Sequence, residues 1–124
     1  MSTPTPPLRA AFALALLALA ACDARAQTPS PSTRRAREVV ALINAATPAA
    51  IRAYVDTAMA ERMRSFPVEA HIDFFMSQKD WSRGLEWVEV QEESAEGTTV
   101  LLRQKLTGEP VALFVRAEAA APNR

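Results

Sequence analysis

Apolar residues recur at steps of three and four along Thr47–Met63, at Ile51, Tyr54, Val55, Ala58, Met59 and Met63, and Phe66 continues the series. That period is one face of an amphipathic helix. Arg52, Asp56, Glu61 and Arg64 fall opposite, where Arg52 and Asp56 stand one turn apart and can pair. Thr47 has the side chain of an N-cap, and Pro48 suits the first helical position, where a missing N–H costs nothing. Upstream, Ala36, Val39, Val40 and Ile43 make a second stripe, widened by Leu42, which predicts a helix from Thr33 or Arg34 to about Ala46. Asn44-Ala45-Ala46-Thr47-Pro48 ends it, because the residue before a proline avoids helical geometry. So short a connection predicts an αα-hairpin. A third helix is expected from Val68 to Arg83, with Pro67 as its first residue, Val68, Ile72, Phe75 and Met76 on one face, and Phe74 and Trp81 on its flank. Gly84 is the natural left-handed C′ residue.

The period then changes to two. Leu85–Glu92 reads as a strand whose apolar positions shift from odd to even, the mark of a bulge or of burial on both faces. Ser94-Ala95-Glu96-Gly97 is a turn. Thr98–Leu106 places Val100, Leu102 and Leu106 together, Thr107-Gly108-Glu109-Pro110 turns again, and Val111–Ala117 places Val111, Leu113 and Val115 together. The pattern predicts an α+β fold, three helices packed on a three-stranded antiparallel meander with an exposed edge.

The first 26 residues read differently. Arg9 precedes the uncharged run Ala10–Ala21, too short for a bilayer span of about 20 residues and suited to the core of an export signal. This signal-peptide helix would precede the domain. Leu19-Ala20-Ala21-Cys22 has the pattern of a lipobox ending at Cys22, while Ala24-Arg25-Ala26 before Gln27 has that of a signal peptidase site after Ala26. Cys22 is the single cysteine, so no internal disulfide forms, and lipidation is the simpler use for it. The expectation is an exported, periplasmic lipoprotein held to the membrane through Cys22, or else a soluble periplasmic or secreted chain. Residues 27–33 read as a Pro/Ser-rich tether, 34–118 as one small domain and 119–124 as a loose tail.

Composition narrows the function. The 14 basic and 14 acidic residues balance, and no basic patch with interleaved aromatics marks a nucleic-acid surface. Arg34, Arg35 and Arg37 form a short cluster, read as a solvated face or as a contact with anionic headgroups if Cys22 is acylated. His71 is the single histidine, expected at the surface or half-buried; Asp73, two positions on, cannot face it across a helix. A zinc site of His/Cys type is therefore not expected. GxSxG and SxxK are absent, and the three glycines all fall at turns, which leaves no phosphate-cradling loop. Glu86, Glu89, Glu92, Glu93 and Glu96 suit a solvated strand edge better than a cation site with Asp80. Tyr54, Phe74, Phe75, Trp81, Trp87 and Phe114 are core material first, and a candidate ligand cleft second. Neither catalytic residues nor a cofactor or metal is expected.

The run RRAREVVALINAATPAAIRAYVDTAMAERM, followed by GLEWVEV and TTVLLRQKLTGEPVALFVRAE, resembles a segment that follows the signal peptide of secreted bacterial serine hydrolases, of beta-lactamase-related or tail-specific-protease-like type. It is loosely similar to cone-shaped domains of the nuclear-transport-factor-like group as well. Short marks are Asn44-Ala45-Ala46-Thr47-Pro48-Ala49-Ala50 and Ala121-Pro122-Asn123-Arg124. The resemblance implies a non-catalytic segment that precedes a hydrolase domain, and the family's catalytic residues have no matching positions here. The expected function is an exported accessory or interaction domain without that catalytic domain, partnered by a separately encoded hydrolase or by a second copy. The alternatives are a small-ligand-binding cone module and, least favoured, an enzyme using His71 with Asp73 or Tyr54.

Overall fold

The computed structural model describes residues 28–124, so the export signal and Cys22 lie outside the described residues. The chain is α+β, with four helices and a three-stranded antiparallel sheet of order β1-β2-β3. Among the described residues no helix is long and apolar enough to cross a membrane.

Helix α1 (Pro31–Asn44) starts earlier than the pattern suggests. Ser30 is its N-cap, accepting from the Thr33 N–H at 3.1 Å, and Pro31 sits at N1. The proline that looked like tether is thus a helix starter, and Ser32 and Thr33 are buried. Thr33 Oγ1 donates to the Glu93 carboxylate and lies 3.0 Å from Thr98 Oγ1, which pins the helix start to the β1–β2 hairpin. Ala36, Val40 and Ile43 are buried as the stripe requires, and α1 touches all three strands.

Helix α2 (Pro48–Thr57) buries Ile51 and Val55, with the Thr47 side chain accepting from Ala50 N at 3.2 Å. The helix, expected to run on to near Ser65-Phe66-Pro67, breaks here, giving four helices in place of three. Thr57 Oγ1 donates back to Ala53 O at 2.7 Å, and both Ala58 N and Met59 N turn onto Tyr54 O. The chain restarts as a single turn, α3 (Glu61–Arg64). Ala58 is buried by the bend, whereas Met63 and Phe66 lie 41% and 56% exposed and leave the stripe. Arg52 reaches Glu69 of the next helix at 2.6 Å, not Asp56.

Helix α4 (Val68–Ser82) has Pro67 as N-cap and buries His71, Ile72 and Phe75. It packs against α1 and α2, and its Lys79 donates to Ala46 O at 3.2 Å. His71 is therefore buried, contrary to expectation. Its Nε2 donates to the Met63 carbonyl at 2.9 Å, since a carbonyl can only accept, and so ties α3 to α4. Arg83 itself takes the left-handed conformation (φ 56°) expected of Gly84, and Gly84 follows at φ 110°.

Strands β1 (Leu85–Ser94), β2 (Gly97–Gln104) and β3 (Pro110–Val115) form the meander. Register shifts between Trp87 and Glu89 and between Val90 and Glu92 are the bulges that the odd-to-even switch announced. Leu106 lies past the end of β2 and is exposed. Val100 and Leu102 are fully buried, as is Ile51 beneath them in the same cluster. Each contributes about 1.5–3 kcal/mol relative to exposure. Asn44, the last residue of α1, clamps the sheet: its Nδ2 donates to Leu85 O at 2.9 Å and its Oδ1 accepts from Leu85 N at 2.7 Å. At the far corner Ala117 N donates to Ser32 Oγ at 3.1 Å. The tail, expected loose, folds back so that Arg35 donates to the carbonyls of Asn123 at 2.7 Å and Pro122 at 2.9 Å.

Candidate functional site

The bend between α2 and α3 holds open a groove of about 420 Å³ between that corner and strand β3. Val39, Tyr54 and Phe75 form its floor, Met59 and Met63 one wall, and Leu113 to Arg116 the other. Phe74 stands on the rim at 55% exposure. Tyr54 and Phe75 meet edge to face with centroids 6.3 Å apart, and Phe74 and Phe75 do the same at 5.3 Å. Such contacts fix three rings as one rigid apolar surface.

The groove collects Tyr54, Phe74, Phe75 and Phe114 of the candidate cleft, but neither tryptophan. Trp81 is exposed on the last turn of α4. Trp87 lies half-buried on β1, covered by the Arg37 guanidinium 3.9 Å from its ring centroid. Arg37 is exposed, as a solvated face expects, and stacks on that ring as well. Phe114 shares the rim and lies over Gly97, where a Cβ would fall 2.7 Å from its Cζ.

Sequence reasoning missed the charge at this site. Arg35, Arg62, Arg116 and Arg124 line the groove, and its lining includes no Asp or Glu side chain among the described residues. Arg35 is paired with Glu38 at 2.5 Å and Arg116 with Glu96. Arg62 has no ion pair among the described residues, and Arg124 Nε is buried without a hydrogen-bond partner. The four come from four separate stretches of chain, so no run or spacing announced their meeting, and only Arg35 belongs to a cluster visible in the sequence. Burial pushes the Tyr54 phenol above its ordinary value of 10.0; the Glu38 charge adds to the rise and Arg35 opposes it. The hydroxyl is thus protonated at neutral pH and free to donate or accept in the groove.

The other candidates are dispersed. His71 serves α3 as described, and Phe66 stacks edge to face on it at 6.3 Å. Glu86, Glu89 and Glu92 register against Arg103, Leu101 and Thr99 on the outer side of the sheet, while Glu93 turns inward to Thr33. Among the described residues no three His, Cys, Asp or Glu are grouped to hold a metal ion. Compared with protein-family models, with curated proteins and with solved structures, the chain shows no match.

Proposed function

We propose that this chain is a non-catalytic accessory domain that works by binding, and that its working surface is the groove between α2, α3 and β3. The observation that supports this is the pre-ordered row Tyr54, Phe75 and Phe74, held by edge-to-face contacts yet open to solvent at the rim. Rings already fixed lose little entropy on binding, which is what a recognition surface needs. In this reading Cys22 anchors the chain to a membrane outside the cytoplasm. The partner is a separately encoded hydrolase of the kind that the sequence resembles. A groove of about 420 Å³ also falls in the range of about 300–1,000 Å³ that suits small ligands, which supports a small apolar ligand as second reading.

A photoreactive phenylalanine analogue in place of Phe74, in the full-length chain in its own cells, tests both. The expected product is a polypeptide adduct that does not form from the same analogue in place of Trp81. An adduct of small mass selects the second reading. Equal labelling at both positions, or none at Phe74, refutes the groove as the working surface.

A further inference from the structure

We propose that the groove receives its ligand as an extended peptide strand that adds to the free edge of β3, with acidic side chains between its apolar ones. The inference rests on the groove being the binding surface, and deepens it.

The sheet order β1-β2-β3 leaves one side of β3 without a neighbouring strand. Which backbone groups face that side follows from register. Arg103 pairs with Pro110, and Gln104 N donates to Glu109 O at 2.9 Å across the pair. Antiparallel pairs alternate between bonded and non-bonded, so Pro110, Ala112 and Phe114 occupy the non-bonded positions against Arg103, Leu101 and Thr99. Their backbone groups point away from β2: the carbonyls of all three, and the N–H of Ala112 and Phe114. Neither amide bonds elsewhere among the described residues. Proline, which has no N–H to give, stands at one of these outward positions, as an edge allows.

The groove meets this edge. Successive residues of a strand face opposite sides of the sheet, yet Leu113, Phe114, Val115 and Arg116 all line it. A cavity that touches four in succession runs along the strand's edge. An added strand would satisfy the outward groups and lay every second side chain on Tyr54 and Phe75, the geometry of strand-addition recognition. Charge selects its other side chains. Arg62, which lines the groove without an ion pair among the described residues, offers a fork suited to two parallel bonds to a carboxylate, and Arg35, Arg116 and Arg124 line the same groove. A second copy pairing through its own β3 fits worse. The sequence PVALFV brings no acid to those arginines, and pairing would set the two basic rims against each other.

The test uses the full-length protein and synthetic hexapeptides, the length of β3, alternating valine or leucine with glutamate. Binding read by fluorescence anisotropy is expected to weaken at least tenfold with lysine at the acidic positions, and again with N-methylation of the peptide's bonding amides. Hydrogen exchange at Ala112 and Phe114 should slow at least tenfold on binding, while Val111 and Leu113, already bonded to β2, stay unchanged. Ala112→Pro removes only an outward N–H and should abolish binding with the circular dichroism intact; the N-methylated peptides carry the argument should that variant unfold. Undiminished binding by N-methylated peptides overturns strand addition. If no hexapeptide binds while the Phe74 photo-adduct persists, strand addition falls and the groove reading stands; loss of both overturns both. A dimer that Ala112→Pro disperses assigns the edge to a second copy and overturns the peptide.

Discussion

Replacing Asn44 by alanine should lower stability by about 2 kcal/mol. The side chain makes two hydrogen bonds to one residue, 2.7 Å from Leu85 N and 2.9 Å to Leu85 O, and Leu85 is only 6% exposed. Each bond contributes about 1 kcal/mol net, and leaving a buried partner unsatisfied costs about 1–3 kcal/mol. Water can reach the vacated side of Asn44, which is exposed, so the lower end applies. For a domain of this size 1 kcal/mol moves Tm by about 4–8 °C, and thermal melting of Asn44→Ala should show a fall of about 8–16 °C. Asn44→Asp is the sharper probe. It keeps the acceptor for Leu85 N but sets a carboxylate oxygen against Leu85 O. The folded state then raises that carboxyl's pKa above its unfolded value near ~3.9. The variant's stability relative to wild type is therefore best below that unfolded value and falls as pH rises through the folded one. A Tm for Asn44→Ala within about 2 °C of wild type, or no acid rescue of Asn44→Asp, would refute the clamp.

Tyr54 is the single tyrosine, so ultraviolet titration should give one phenol midpoint above 10.0, lowered by Glu38→Gln; a midpoint at or below the ordinary value contradicts its placement. Because the folded pKa is raised, its contribution to stability is complete below the unfolded value and is lost as pH climbs through the folded one. Gly97→Ala would set a Cβ 2.6 Å from Val115 O and 2.7 Å from the Phe114 ring, and should cost about 1–3 kcal/mol by denaturant titration, partly recovered with Phe114→Ala. His71→Ala should free α3 while the core stays folded, read as faster tryptic cleavage after Arg62 and Arg64. An unchanged cleavage rate would show that His71 does not hold α3.

What could be read from the sequence is what period and punctuation encode. The stripes of α1 and α4 and the three strands are there because their faces are buried by one continuous core, and the valine and leucine parity of β2 and β3 survives except at Leu106, which lies past the end of β2. The break after Thr57 has no proline or glycine to mark it. It arises from a hydroxyl back-bond and from the anchor that His71 provides for Met63, eight residues before it. Pro31 misled in the other direction, since a proline near serine and threonine reads equally as tether or helix start. At the groove, aromatic content signalled that rings would gather but not which ones. Trp87 is claimed by Arg37, and Trp81 by solvent. The arginine rim depends on the tail returning to α1, a long-range contact that no local pattern encodes.

The bond from Ala117 to Ser32 joins the start of the first helix to the end of the last strand. A chain that enters and leaves a fold at one corner can be spliced into the surface loop of another protein without stretching its host, because the gap to be closed is short and its entropic cost small. The same closeness predicts that a few residues linking those ends, with a new opening at the exposed Thr107-Gly108 turn, yield a circular permutant that still folds. Whatever flanks this domain can hold it at one corner, as a pendant.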